Sequence, residues 1–147
     1  MVGSEVTSVP KVCAYITRNG CELLVFEGPD RGGLQIPKGT IESDESVREA
    51  LRREVEEESG LTALRSIQHL ASDVWMRRRS PPKLYERHFF HASVDVDRDE
   101  WTHVVTGEGE ERGVEFEYFW HELPSTRDFA LALDDYVHLV ERSLPRL

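Results

Sequence analysis

The sequence predicts strands and helices mixed in one unit, an α/β or α+β sandwich. Three observations carry that expectation. Two apolar runs flank an Asn-Gly turn near the start, a strongly patterned helix follows a Gly/Pro-rich loop, and shorter strand-like runs lead to a second helix-like stretch. At 147 residues the chain is long enough for one domain with a sizeable core, and no repeat, low-complexity tract or linker divides it. Residues 1–147 are therefore read as a single domain.

Taken in order, Asn19-Gly20 reads as a two-residue hairpin turn between residues 12–18 and 21–27. In that register Cys21 faces Arg18 and Cys13 faces Phe26, too far apart along the hairpin for a disulfide. Two cysteines are also too few for a cysteine-type zinc site, and a reduced cytoplasmic protein is expected. Gly28-Pro29-Asp30 and Gly32-Gly33 mark a loop, and residues 34–36 form a short extended piece ending at Pro37. Asp44 is placed to cap a helix running through about Ser59, with Gly60 as its stop. Weaker strand signals follow at residues 66–76, 84–96, 102–106 and 114–120. Ser125 or Thr126 then caps a closing helix through about Ser143, in which Phe129, Leu133, Tyr136, Val137 and Val140 recur at helical spacing.

The composition excludes several classes. With 28 acids against 18 Lys and Arg, the formal charge of -10 argues against a general duplex-DNA binder, which needs cations to displace counterions. No apolar run approaches the roughly 18 residues of a membrane span. The first eleven residues lack both the basic and the apolar region of a secretory signal.

The acids are concentrated. Eight of them fall between Glu42 and Glu58, opposed by Arg48, Arg52 and Arg53. On a helical wheel, Val47, Ala50, Leu51 and Val55 define an apolar arc, while Glu45, Glu49, Arg52 and Glu56 take the opposite, solvated side. Glu54 and Glu58 project into the apolar arc and Glu57 lies at its edge. Buried carboxylates without partners are costly, and these three stand at i, i+3 and i+4, so they converge. A hard cation such as Mg²⁺ or Mn²⁺ between them accounts for the pattern better than a solvated, ion-paired face.

The same segment reads Gly39, five residues, Glu45, seven residues, Arg53-Glu54-Val55, one residue, Glu57-Glu58, one residue, Gly60-Leu61. This resembles the Nudix box at every fixed position of its 23-residue signature, and Leu34-Gln35-Ile36-Pro37-Lys38 is similar to what precedes the box in that family. The resemblance covers under a fifth of the chain. It implies a mixed β-sheet sandwiched between α-helices, and an enzyme that hydrolyses a nucleoside diphosphate linked to another group X, using divalent cations. It implies that Glu54, Glu57, Glu58 and the Gly39 carbonyl ligate Mg²⁺ or Mn²⁺, with Glu54 as the base and Arg53 orienting it. Glu45, fixed in the signature, is read as structural. In related enzymes a later Glu completes the metal site; Glu108, Glu110 and Glu111 are the candidates here, and Glu111 is chosen from its distance to the aromatic strand.

For the substrate, Arg77, Arg78, Arg79 and Lys83 either form a solvated hairpin tip or grip a polyphosphate, with Arg77 and Arg79 chosen. Lys38 is either a phosphate contact or a surface lysine. Trp75, Tyr85 and Tyr118 either stack on a base or belong to the core. His88 and His91 point to opposite faces of a strand and make a poor metal pair. The Pro-Lys-Gly entry is similar to that of dinucleoside polyphosphate and diphosphoinositol polyphosphate hydrolases. The expected partner is a small nucleotide diphosphate, with no duplex nucleic acid and no membrane, and the protein acts as a monomer or homodimer. The alternative is a non-catalytic Nudix module that senses a nucleotide or binds a partner.

Overall fold

The central strand forms where an apolar run is buried on both faces of the sheet. In this computed structural model, which describes residues 6–27, 32–78 and 81–142, β1 (Thr7–Arg18) is buried continuously from Val12 to Arg18. A strand covered on both faces needs no polar alternation. β1 pairs in parallel with β6 (Lys83–Ser93) over eleven residue pairs, and β6 pairs antiparallel with β5 (Arg65–Arg77). On its other edge β1 meets β2 (Glu22–Glu27), which continues to β8 (Glu115–Glu122) and β7 (Glu100–Val104). The sheet order is β5-β6-β1-β2-β8-β7. None of the helices among the described residues is long and apolar enough to cross a membrane.

β1 and β2 stay together only at Thr17↔Leu23 and Arg18↔Glu22 before they fork. Into that fork runs the arm β3 (Leu34–Gln35) and β4 (Lys38–Thr40): β3 pairs with β2, and β4 pairs with β1 at Lys11, Val12 and Cys13. The expected hairpin register is therefore corrected. Arg18 faces Glu22 rather than Cys21, and Cys13 faces Lys38 rather than Phe26. The connection takes three residues: Asn19 and Gly20 turn the chain with positive φ, 51° and 79°, and Cys21 stays outside the ladder, its carbonyl accepting from Leu123 N–H. Both cysteines are free thiols, and burial pushes Cys13 up to about 12.

One face of the sheet is covered by α1 (Val47–Ser59), which buries Ala50, Leu51 and Val55 against Val12, Ala14, Ile16, Phe26 and Phe116. Leu51 and Val55 each contribute about 1.5–3 kcal/mol by full burial. The N-cap is Ser46, not Asp44: its hydroxyl accepts from Glu49 N–H while the Glu49 carboxylate accepts from Ser46 N–H. That Ser-x-x-Glu capping box was legible in the sequence. Gly60 ends the helix at φ 81°, as expected.

The other face is covered by the C-terminal segment, where the expected long helix is broken. A 3₁₀ turn at Ala130–Ala132 precedes a short α2 (Val137–Arg142), and Leu131 and Ala132 have φ of 57° and 54°. Phe129, Leu133, Val137 and Val140 are buried as the periodicity requires. The helix yields because its carbonyls are taken elsewhere: Arg87 donates to Leu131 O and Ala132 O, and Tyr15 OH donates to Leu133 O at 2.6 Å. Ser143 lies outside the described residues.

Candidate functional site

The fork places β4 directly under α1, and the acidic face of the helix meets it. Gly39 on β4 is the point of closest approach: a Cβ there would overlap the Glu54 carboxylate. Gly107, in the loop between β7 and β8, stands in the same relation to Glu57. A side chain at either position would push the facing carboxylate aside, and at Gly107 the φ of 87° itself favours glycine.

The C-terminal end of α1 carries no basic residue in its last turn. Three side chains of β7 and β8 satisfy its orphan carbonyls instead. Trp101 Nε1 donates to Ser59 O at 2.9 Å and Tyr118 OH to Glu58 O at 2.8 Å. His103 Nε2 lies 2.9 Å from Glu57 O, and since a carbonyl only accepts, that nitrogen carries the hydrogen. These bonds hold the end of the helix, and with it the carboxylates, against the sheet. Tyr118 is thus a core residue with its hydroxyl committed, not an open stacking surface.

Glu58 is 3% exposed. Its Oε1 accepts from Lys38 N–H at 3.1 Å, and the Glu111 carboxyl lies within hydrogen-bonding reach. Burial, and then Glu111, push Glu58 well above the usual carboxylate range, opposed by Lys38. Of the three later acids, Glu111 is half-buried and reaches the helix, while Glu108 and Glu110 are exposed. Burial raises Glu54 as well, opposed by Arg53. Arg53 Nη1 bridges Glu54 at 2.8 Å and Glu57 at 3.2 Å, and its Nη2 and Nε bind Glu45. Glu45, then Glu54, hold the guanidinium charged, and Glu45 is correspondingly lowered. Glu45 therefore acts through Arg53, a role that a helical wheel misses because Glu45 precedes the helix.

Among the described residues no three His, Cys, Asp or Glu side chains are already gathered at metal-holding spacing. Glu54 and Glu57 are turned onto Arg53, and Glu58 onto Lys38 N–H and Glu111. The donor set nevertheless fits a hard divalent cation: it is all oxygen, partly buried and built against glycines that leave no Cβ in the way.

Of the substrate candidates, Lys38 sits at the mouth, its Nζ donating to Gln35 at 2.9 Å. Trp75 and Tyr85 are half-buried and stacked, with centroids 6.0 Å apart and planes 13° apart. Arg77 ends β5, and Arg79 lies outside the described residues. Sequence reading missed Lys11, because nothing in a strand-like run marks one lysine. It lies 5.4 Å over the Tyr85 ring, and burial, then Lys38, lower its ammonium against the pull of Glu54 and Glu111. A separate groove of about 560 Å³ between β2, β8 and β7 is lined by Glu27, Glu100 and Glu117 and holds none of the box carboxylates.

Residues 7–139 match the family model described as the NUDIX domain. No curated protein matches the chain significantly. Among solved structures, the MutT protein of Methanosarcina mazei Go1 superposes with a TM-score of 0.66 at 21% identity, covering 95% of this chain and 97% of that one. The MutT NUDIX hydrolase of Burkholderia pseudomallei gives 0.62 at 21% identity, covering 93% and 98%. A NUDIX hydrolase from Nitrosomonas europaea gives 0.55 at 21%, covering 95% and 82%. These likenesses show the same fold, a mixed sheet with few helices.

Proposed function

The chain belongs to the NUDIX family, hydrolases of pyrophosphate bonds, and on that premise we propose that it cleaves a nucleoside diphosphate linked to a group X. What supports this reading is the way glycines and a loop meet the carboxylates of α1: Gly39 lies against Glu54, Gly107 against Glu57, and Glu111 beside Glu58. Together with the Gly39 carbonyl, these four carboxylates are the proposed ligands of Mg²⁺ or Mn²⁺. A divalent cation there supplies charge for the phosphoryl oxygens and lowers the pKa of bound water. Glu54 is the proposed base for that water, with burial favouring proton uptake and Arg53 fixing the orientation of the carboxylate. Lys38 is the proposed phosphate contact at the entrance. We read the whole chain as one domain working in the reduced cytoplasm, as a monomer or homodimer, on a small-molecule substrate.

The test is a nucleotide-diphosphate panel with Mg²⁺ or Mn²⁺ and with EDTA, products identified. Metal-dependent release of a nucleotide from at least one compound is expected. Nucleotide binding with no turnover on any compound overturns the hydrolytic assignment in favour of a non-catalytic module.

A further inference from the structure

The last four carbonyls of α1, those of residues 56–59, have no partner inside the helix. All four are nevertheless satisfied. Gly60 N–H donates to Glu56 O at 2.8 Å, and Glu57 O accepts twice, from His103 Nε2 at 2.9 Å and Thr106 N–H at 3.0 Å. Tyr118 OH donates to Glu58 O and Trp101 Nε1 to Ser59 O. The three side chains stand on one face of β7 and β8: Trp101 registers with Tyr118, their rings stack 5.5 Å apart, and His103 follows two residues after Trp101. Gly60 leaves room for the imidazole, since a Cβ there would come within 3.0 Å of His103 Nδ1.

The chemistry of these donors is unusual for their position. Aligned peptide dipoles gather about half a negative charge at a helix C-terminus, which Lys or Arg commonly offsets. None of the four donors to the carbonyls of residues 57–59 is a Lys or Arg, and the last turn of α1 carries no basic residue. Glu57 and Glu58 in that turn add to the negative end instead of offsetting it. Arg98 lies over the Trp101 ring, 4.6 Å from its centroid, and among the described residues it donates to none of these carbonyls. Arg53 meets the carboxylates of Glu54 and Glu57, not the carbonyls of the last turn.

Resting on the reading of the carboxylates as metal ligands, we infer that His103, Tyr118 and Trp101 are positioning residues whose lack of a fixed positive charge is itself functional. They tether the carboxylate turn to the sheet and leave the negative end of α1 uncompensated, so that its field adds to Glu54, Glu57 and Glu58 in holding a divalent cation. A lysine or arginine cap would hold the helix equally well and repel the ion. The two bonds to Glu57 O have a second effect: β7 leads through Thr106 into the loop that carries Gly107 and Glu111, so the same carbonyl fixes that loop against the helix.

Binding of Mn²⁺ to the full chain, read from the EPR signal of the free ion, separates this device from a purely structural cap. His103→Lys keeps a donor for Glu57 O and adds one positive charge. Its melting temperature should hold or rise, because a cation suits a helix C-terminus, while the Kd for Mn²⁺ rises about tenfold by repulsion. His103→Gln keeps an uncharged donor and should bind Mn²⁺ within about twofold of the unaltered chain. Thr106→Lys changes an exposed side chain, keeps the backbone donor to the same carbonyl, and should raise Kd about fivefold with the fold undisturbed. Thr102→Lys adds the same charge to the opposite face of β7 and should leave Kd within about twofold. Unchanged affinity in both His103→Lys and Thr106→Lys, or an equal loss in Thr102→Lys, overturns the inference. In turnover, His103→Lys should raise the Mg²⁺ needed for half-maximal rate and leave KM for the nucleotide unchanged at saturating Mg²⁺. If Mn²⁺ binding follows this pattern and no compound is turned over, the inference stands and only the hydrolytic reading fails. A chain that binds no Mn²⁺ overturns the inference together with the metal site.

Discussion

The two most deeply buried charged side chains among the described residues lie on opposite faces of the sheet, and they are treated in opposite ways. Arg87, 4% exposed, is met by Asp73 at 2.6 Å, Asp135 at 3.0 Å and two backbone carbonyls. Glu58, 3% exposed, has one backbone N–H and a second carboxyl beside it. The first arrangement satisfies a buried charge with its complement. The second leaves two acids against each other, an arrangement that costs stability in the protein alone and suits a site built to receive a cation. The fully paired buried charge thus serves structure in this fold, and the poorly paired one sits where the chemistry is proposed.

The largest expected effect breaks the paired side. Arg87→Met leaves Asp73 and Asp135 uncompensated and frees the carbonyls of the C-terminal turn; we expect a loss of about 3 kcal/mol in urea unfolding. The same variant tests the pH dependence. The Arg87 guanidinium holds Asp73 below its ordinary value of 3.8. This contribution is therefore fully present above that value and is lost as pH falls through the lower folded-state value. The acid limb of the stability profile should be shallower in Arg87→Met, and an unchanged limb would show that Asp73 is not the group lost.

Next comes the unpaired side. Glu58→Gln keeps an acceptor for Lys38 N–H and removes a charge next to Glu111, so its melting temperature should hold or rise. Hydrolysis should fall roughly 100-fold, since a metal ligand supports several kcal/mol of transition-state stabilisation. A drop in stability comparable to that of Arg87→Met would erase the distinction drawn between the two sites. The smallest effect belongs to Glu56→Gln, on the exposed side of the same helix. It should stay within about 0.5 kcal/mol in stability, with turnover nearly unchanged. Equal losses of turnover at Glu56 and Glu58 would mean that position on the helix does not decide function.

Much of this was legible because local rules govern it. The helix 47–59, its Gly60 stop, the four later strands and the inward turn of Glu58 all follow from periodicity and chain punctuation. The misses have particular causes. Asp44 reads as the cap, whereas Ser46 takes that place through its capping box with Glu49. The closing helix was read from its apolar spacing, which is satisfied, while Arg87 and Tyr15, distant in sequence, took the carbonyls a continuous helix would use. The hairpin register differs by one residue because Cys21 stays outside the ladder, and Cys13 loses Phe26 as a partner because β4, not β2, occupies the edge of β1 there.

By itself, then, the sequence determined which carboxylates turn inward, since a 3.6-residue period is set by the backbone and needs no partner to read. Only the tertiary structure decided what they meet. The fork between β1 and β2 brings Gly39 under Glu54, and the β7–β8 loop brings Gly107 to Glu57 and Glu111 to Glu58. Parallel pairing of β1 with β6 sets Lys11 against Tyr85, 74 positions away. Such contacts depend on strand register and loop closure between distant segments, and no local pattern of residues encodes them.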